Sequence, residues 1–554
     1  VDGSSITGKP EGLPTPFKGN ADDGKLRTYV LALCTTGEFS RYFMTGSEVT
    51  TEDSLATVMS ALTTTLIRVN GIYERDFSIR LVFTEKEDDI IFLNPATDPF
   101  TTFKAPELNS ASQQSCDTKI GFLNYDIGHV VHRGASQGNA GCIGCVCKAG
   151  SKGSGWTIYT NPKLDYFVDN YLSHEFGHQF GGNHIFTFSN EGTGANVEPG
   201  SGSTVMGYAG ITGNTDIQDH GDPYFSAVNI AQISNYIKTG FGATCDEPTE
   251  TGNSAPSLVT PLNDYTIPRL TPFQIKGEFT DNNAGDILTY TVEQIDRFVN
   301  GQSNTIPNAF SKEGPLFRSV VYTTNPYRNF PNLATILAGQ TKNGWEVLPN
   351  VTRTMNFRIT ASDNHAGGSN NKSADMEINA IFEAGPFSIT VLNAAISDPW
   401  IAGETDTVKW NIAKTDIAPV NCANVKISLS TDGGVTFPYV LAASTPNDGE
   451  EPVIVPSVNS TTARIKVEAV DNIFFDINNA NFRIESTVPV TWLSFTAQKI
   501  SSAAILLNWS TTNESNNMYY DIERSSDAVS FEKISLINAG NAPSGIQEYK
   551  YSDY

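Results

Sequence analysis

The hydrophobic pattern of the chain changes once along its length. Up to about residue 245, apolar positions recur at both helix and strand spacing; beyond it they alternate over short runs broken by turn residues. LRTYVLALC (26–34) predicts a β-rich first strand, and FSIRLVFT (77–84) and NYDIGHVVHR (124–133) predict two more. SLATVMSALTTTLIRVNGIYERDF (54–77) sets apolar residues at helical spacing, with a stop expected near Gly71. NPKLDYFVDNYLSHEFGHQFG (161–181) repeats that spacing through Leu164, Phe167, Val168, Tyr171, Leu172 and Phe176, with Pro162 suited to the first turn. FSAVNIAQISNYI (225–237) predicts a further helix. Residues 22–245 are therefore expected to form an α/β domain, behind a Gly/Ser/Pro-rich extension, 1–21, read as an extension or propeptide remnant.

DEPTETGNSAPS (246–257) reads as a polar linker, and strands and turns dominate after it. Breaks near EAGP (383–386) and ESTVP (485–489) divide the remainder into three β-rich units, 258–383, 384–486 and 487–554. The last two share a weak repeat. VKWNI (408–412) precedes STDGGVTF (430–437), and LLNWS (506–510) precedes RSSDAVSF (524–531). Such short strands imply β-sandwiches, cadherin- or PKD-like, Ig-like and fibronectin-III-like in turn, with the Trp buried between sheets. The last unit falls short of a usual sandwich and reads as truncated.

At 554 residues the chain exceeds one ordinary core. It has no apolar run of about 18 residues, so no membrane span is expected. With 36 basic against 60 acidic residues, it is a poor partner for nucleic acid or anionic membranes. The acidity, and a start at Val1, fit a processed, exported protein, and a monomer is expected. Cys34, Cys116, Cys142, Cys145, Cys147 and Cys245 all precede residue 250. The run GCIGCVC lacks the second Cys pair that a structural zinc site needs, so disulfides are expected there, with their pairing open. Cys422 stands alone and reads as a buried thiol.

The stretch HEFGHQFGGNH holds His174, His178 and His184, three of the seven histidines. On a helix His174 and His178 share one face and can grip one ion, while Glu175 reaches a water without ligating it. Gly181 permits the turn that brings back His184 as third ligand. Three neutral imidazoles with an open fourth position are the catalytic arrangement for zinc. Downstream, SGSTVMGYAGI (201–211) places Met206 in a Gly-flanked turn, and Tyr208 offers a phenol to the metal or a developing oxyanion.

These two motifs resemble those of the metzincin zinc metallopeptidases, in which a Met-turn floors the metal ligands. Within that clan residues 22–245 look closest to bacterial secreted reprolysin-like (adamalysin-like) peptidases. Two departures stand out. Ile185 occupies the place where reprolysins typically carry Asp, and the Met-x-Tyr pattern is more like astacins, serralysins and pappalysins. The resemblance implies a twisted mixed sheet with an active-site helix, Glu175 as general base, and a peptide held along an edge strand, for which 124–133 is the candidate. The β-units are similar to those of proteases from bacteria with type IX secretion, VPVTWLSFTAQK most of all, which implies an extracellular or surface location.

His129, His132 and His220 have no ligand spacing and read as ordinary structural residues. Asp281, Asn283 and Asp286 in TDNNAGDILTY form a candidate Ca²⁺ loop, as does Asp363 in SDNHAGG, although Asx turns need the same residues without metal. The leading expectation is a zinc endopeptidase acting on protein substrates. The rival is an adhesion protein working through its β-units, with a vestigial peptidase domain. Retention of Glu175 beside all three histidines weighs against it.

Overall fold

The computed structural model describes residues 18–298, 306–396, 398–485, 490–512, 514, 517–540 and 545–554. Residues 1–17 of the N-terminal extension and 486–489 of the second break lie outside the described residues. The chain divides into two compact units, the first comprising 1–388 with 411–424 and 468–476, the second the remainder.

The first unit opens with β1 (Lys25–Thr35), α1 (Gly37–Phe43), α2 (Thr51–Phe77), β2 (Ile79–Phe83), α3 (Glu107–Cys116), β3 (Ile127–Arg133), β4 (Gln137–Asn139) and β5 (Gly155–Tyr159). Then come α4 (Leu164–Phe167), α5 (Ser173–Gln179), α6 (Ala227–Thr239) and β6 (Glu247–Glu250). The sheet order is β2-β1-β3-β5-β4 with β6 beside β1; β4 and β6 run antiparallel to a parallel core. This is the expected mixed sheet. Its main core joins Leu31, Leu33, Val58, Leu62, Phe176 and Met206, so the helix and turn of interest are seated directly in it.

Four expectations change. The α2 helix runs through Gly71 to Phe77, because its capping box (Thr50 with Asp53) and buried Val58, Leu62, Leu66, Val69, Tyr73 and Phe77 outweigh the roughly 1 kcal/mol a mid-helix Gly costs. By length and composition α2 could cross a membrane, but its apolar stripe is buried in the core. The strand at 124–133 is not an edge: β3 lies between β1 and β5, and the edge is β4. The helix of 161–181 starts at Leu164, past Pro162, since Lys163 is extended and Leu164 has φ 67°. A π-turn at Val168–Leu172 then re-phases it, leaving Leu164 62 % exposed. Lastly, part of the stretch read as linker belongs to the sheet, because β6 pairs with Lys25–Thr28 just after Cys245.

Two disulfides close this region, Cys142–Cys145 and Cys147–Cys245, whereas Cys34 and Cys116 are buried thiols 3.6 Å apart. Cys422 is buried and in no disulfide. Cys147–Cys245 spans 98 residues that include the whole of α5. A loop of that length makes its removal expensive: Cys147→Ser with Cys245→Ser is expected to lower unfolding free energy by about 2–5 kcal/mol, read from denaturant melts.

The next β-domain belongs to the same compact unit. Its strands are β7 (Ser257–Leu258), β8 (Tyr265–Pro268), β9 (Phe273–Lys276), β10 (Phe279–Thr280), β11 (Thr289–Gln294), β12 (Tyr327–Phe330), β13 (Arg353–Ser362) and β14 (Asn371–Ile381). The sheet β11-β13-β14-β8 faces the pair β12-β9 across Phe273, Phe317, Phe330 and Phe357, whose rings interlock at 5.0–6.2 Å. It docks on the C-terminal end of α2: Asn371 Nδ2 donates to the Asp76 carbonyl at 2.8 Å, and Arg75 donates to Tyr322 Oη at 2.9 Å.

Among its described residues the second unit is all β, with Trp410 and Trp509 buried as expected. Its weak sequence repeat has a local structural basis. Asp432 Oδ1 accepts the backbone N–H groups of Val435 and Thr436, and Asp527 Oδ1 those of Val529 and Ser530. An Asp side chain therefore closes the turn in both, at spacings that differ by one residue.

Candidate active site

α5 carries His174 and His178 one turn apart on its buried side. The chain then leaves the helix at Gly181, whose φ of 97° suits glycine, and His184 returns to the same point. The ligand-capable atoms of the three histidines lie within 4.8 Å of one another, a group unique among the described residues. His174 Nε2 and His178 Nε2 stand 3.2 and 3.0 Å from His184 Nε2.

Each ring is oriented through its other nitrogen. The Nδ1–H of His174 donates to the Val205 carbonyl at 2.7 Å, that of His178 to the Gly182 carbonyl at 2.7 Å, and that of His184 to both oxygens of Glu191 at 2.9 Å. With every Nδ1 proton directed outward, three Nε2 lone pairs face one another. Neutral lone pairs at such separations repel unless a cation sits among them. Zn–N bonds of about 2.0–2.1 Å would place tetrahedral ligand atoms roughly 3.3 Å apart, close to what is seen, so the residues fit such an ion. Burial pushes the His174 ring down to about 3 and that of His178 well below its usual value, with neighbouring imidazoles adding to both, which keeps them in the neutral, ligating form.

Glu175 lies against β4. A Cβ on Gly138 would fall 2.3 Å from its Oε1, and the Ala140 N–H donates to the carboxylate. Burial pushes Glu175 up to about 8. A dication held by the three histidines would favour the ionised form of Glu175. β4 ends the sheet on this side, so an extended chain laid along 137–139 would pass directly over Glu175.

Met206 is fully buried beneath α5, and a Cβ on Gly177 would lie 2.5 Å from its Sδ. Gly177 is thus the close-approach point between helix and Met-turn, a constraint the bare motif leaves unspecified. Tyr208 stacks into the same group, its ring 4.6 Å from His184 and 5.5 Å from His174, with its phenol pushed far up by burial and by Glu175 and Glu191. Together with Asn170, Tyr171 and Ile211 it walls a cleft opening on His174 and Glu175.

Other candidates stay outside. His129 is locked between Gln179 Oε1 (2.9 Å) and Thr157 Oγ1 (2.8 Å), bracing α5 against the sheet. His132 stacks on Phe103, and His220 lies edge-on to Tyr166. In the candidate Ca²⁺ loop Asp281 Oδ1 accepts the Asn283 N–H, Asn283 Oδ1 accepts that of Ser254, and Asp286 pairs with His365 at 2.9 Å. Asp363 is encircled by donors from His365, Asn370, Ser369 and Asn253. Sequence reasoning missed Glu191 and the Val205 and Gly182 carbonyls. Of these only Glu191, seven residues past the third His, leaves a trace in side-chain identity.

Residues 25–237 match the model of a family described as metallo-peptidase family M12B, reprolysin-like. No curated protein matches the chain significantly. Among solved structures, it is similar to the FN1–FN3 domains of chicken CNTN1 at 11 % identity, covering 54 % of this chain and 86 % of that one, with a TM-score of 0.14. The human desmocollin-1 ectodomain is similar at 8 % identity, covering 54 % and 57 %, also with a TM-score of 0.14.

Proposed function

We propose that the protein is a secreted zinc-dependent endopeptidase that cleaves extracellular proteins, a reading supported by the match of residues 25–237 to a reprolysin-like metallopeptidase family. The observation that carries this reading is the convergence of three outward-braced imidazoles beside a buried carboxylate at an open sheet edge. His174, His178 and His184 hold the metal. Zinc bound there would supply Lewis acidity, polarising the scissile carbonyl and easing deprotonation of a water.

The chain's own residues do the rest. The free backbone groups of β4 align the peptide above α5. Glu175 takes the proton of the attacking water and then delivers it to the departing amide nitrogen as the C–N bond breaks. The Tyr208 phenol donates to the oxygen that gains charge. Tyr208→Phe is expected to lower kcat about 10²-fold with KM nearly unchanged, as measured by steady-state kinetics on a fluorogenic peptide. The apolar wall of Tyr171, Tyr208 and Ile211 favours a compact hydrophobic side chain beside the scissile bond. Two disulfides and an acidic surface support an oxidising, extracellular setting.

The test is digestion of an unfolded protein such as casein by the full chain, with and without chelator. Chelator-sensitive fragmentation supports the proposal. Inertness toward many unfolded proteins, with a glycan or matrix protein bound by the full chain, would favour the adhesion reading instead.

A further inference from the structure

Where reprolysins typically carry Asp after the third histidine, this chain has Ile185, whose side chain packs on Gly202. A buried carboxylate from another residue is tied to that segment. The Ile185 carbonyl accepts the N–H groups of Val197 and Glu198 at 2.9 and 2.8 Å, which holds Glu198 against the segment that follows His184. Glu198 is 1 % exposed. Its Oε2 accepts the Ser203 N–H at 2.6 Å, and its Oε1 accepts Thr204 Oγ1–H at 2.7 Å. Thr204 leads directly into Val205, whose carbonyl orients His174, and into Met206. One buried carboxylate therefore ties the third-ligand segment to the turn that aims the first ligand.

The same turn is braced from the other side by the first β-domain, which lies beyond the 25–237 match. Ser203 Oγ donates to the Ser319 carbonyl at 3.2 Å. Ser319 Oγ donates to Glu293 Oε1 at 2.7 Å, and Glu293 Oε2 accepts the Ala227 N–H at the start of α6 at 2.9 Å. Both carboxylates are raised by burial, Glu293 to about 7, and neither has a cationic hydrogen-bond partner among these contacts. Buried groups of this kind persist where their hydrogen bonds fix a geometry.

We propose that the first β-domain is a working part of the metal centre: its Glu293 and Ser319, with Glu198 of the peptidase domain, hold the 203–206 turn that positions His174. These are positioning residues, acting on the site through Val205 and Met206. The inference rests on the metal-site reading of the three histidines.

The experiment compares Glu198→Gln, Glu293→Gln and Thr204→Val with wild type as full chains. Zinc affinity is measured by competition with a chromophoric chelator, and the visible spectrum is recorded with Co(II) in place of zinc. Glu198→Gln turns an amide donor toward the Ser203 and Thr204 donors and is expected to weaken zinc binding about 10–100-fold and to shift the Co(II) bands. Thr204→Val and Glu293→Gln are expected to change both in the same direction by a smaller factor, with kcat falling more than KM rises. Should Glu198→Gln fail to fold, those two variants carry the test. Wild-type affinity and an unshifted spectrum in every folded variant would overturn the proposal. Absence of tight zinc binding in the wild type would instead overturn the metal-site reading beneath it.

Discussion

Glu175→Gln is expected to lower kcat on a peptide substrate by about 10²–10⁴-fold while leaving the metal content of the protein unchanged. The substitution keeps the side chain's volume in a fully packed place, between α5 and β4, where even a Cβ on Gly138 would collide with it. What it removes is the capacity to take up a proton. Since the three imidazoles converge without Glu175, the metal should stay bound. KM should change little, because the peptide is held by the backbone of the sheet edge. Steady-state kinetics, metal analysis and a thermal melt on one preparation check all three points. Loss of metal together with activity would mean that Glu175 is a ligand; undiminished kcat would remove it from the chemistry.

His178→Ala is expected to abolish stoichiometric zinc binding and to reduce activity by more than about 10³-fold, the several kcal/mol of transition-state stabilisation a metal supplies. His178 is fully buried, and its Nδ1–H fixes the Gly182 carbonyl at the turn leading to His184. Its loss therefore removes one ligand and loosens another. The readout that separates this from general unfolding is the response to metal. Wild-type melting temperature should rise with added zinc, because an ion that binds only the folded state stabilises it by mass action. The melting temperature of the variant should not respond.

The convergence of the three histidines was legible in the sequence because it depends on local geometry. One helical turn separates His174 from His178, and a glycine turn separates them from His184, so spacing alone placed three rings at one point. The supporting shell was illegible because it consists largely of backbone carbonyls, Val205 and Gly182, which any residue type supplies. The edge strand was missed for a related reason. Gln137–Asn139 is too short to show any periodicity, whereas the apolar run of β3 was itself the mark of an interior strand, covered on both faces. Gly71 misled because its cost is local while the burial of α2 is distributed over its whole length. The oxygen-rich loop at 281–286 has the composition of a Ca²⁺ site and also that of an Asx turn, which Asp281 Oδ1 makes with the Asn283 N–H.

The break after residue 245 marked a change of secondary structure more than an independent module. β6 returns to the first sheet, and the next β-domain packs on α2 and against the loop before the Met-turn. The boundary in composition thus lies inside one compact unit.

The central claim is that one metal, held by His174, His178 and His184, makes this protein a peptidase. Its most direct test is a zinc titration of the fully chelated full-length chain, with peptide hydrolysis followed at each addition. Activity should rise linearly and break at one zinc per chain. Hydrolysis that is already complete before zinc is added, or that never appears at saturation, would contradict the claim.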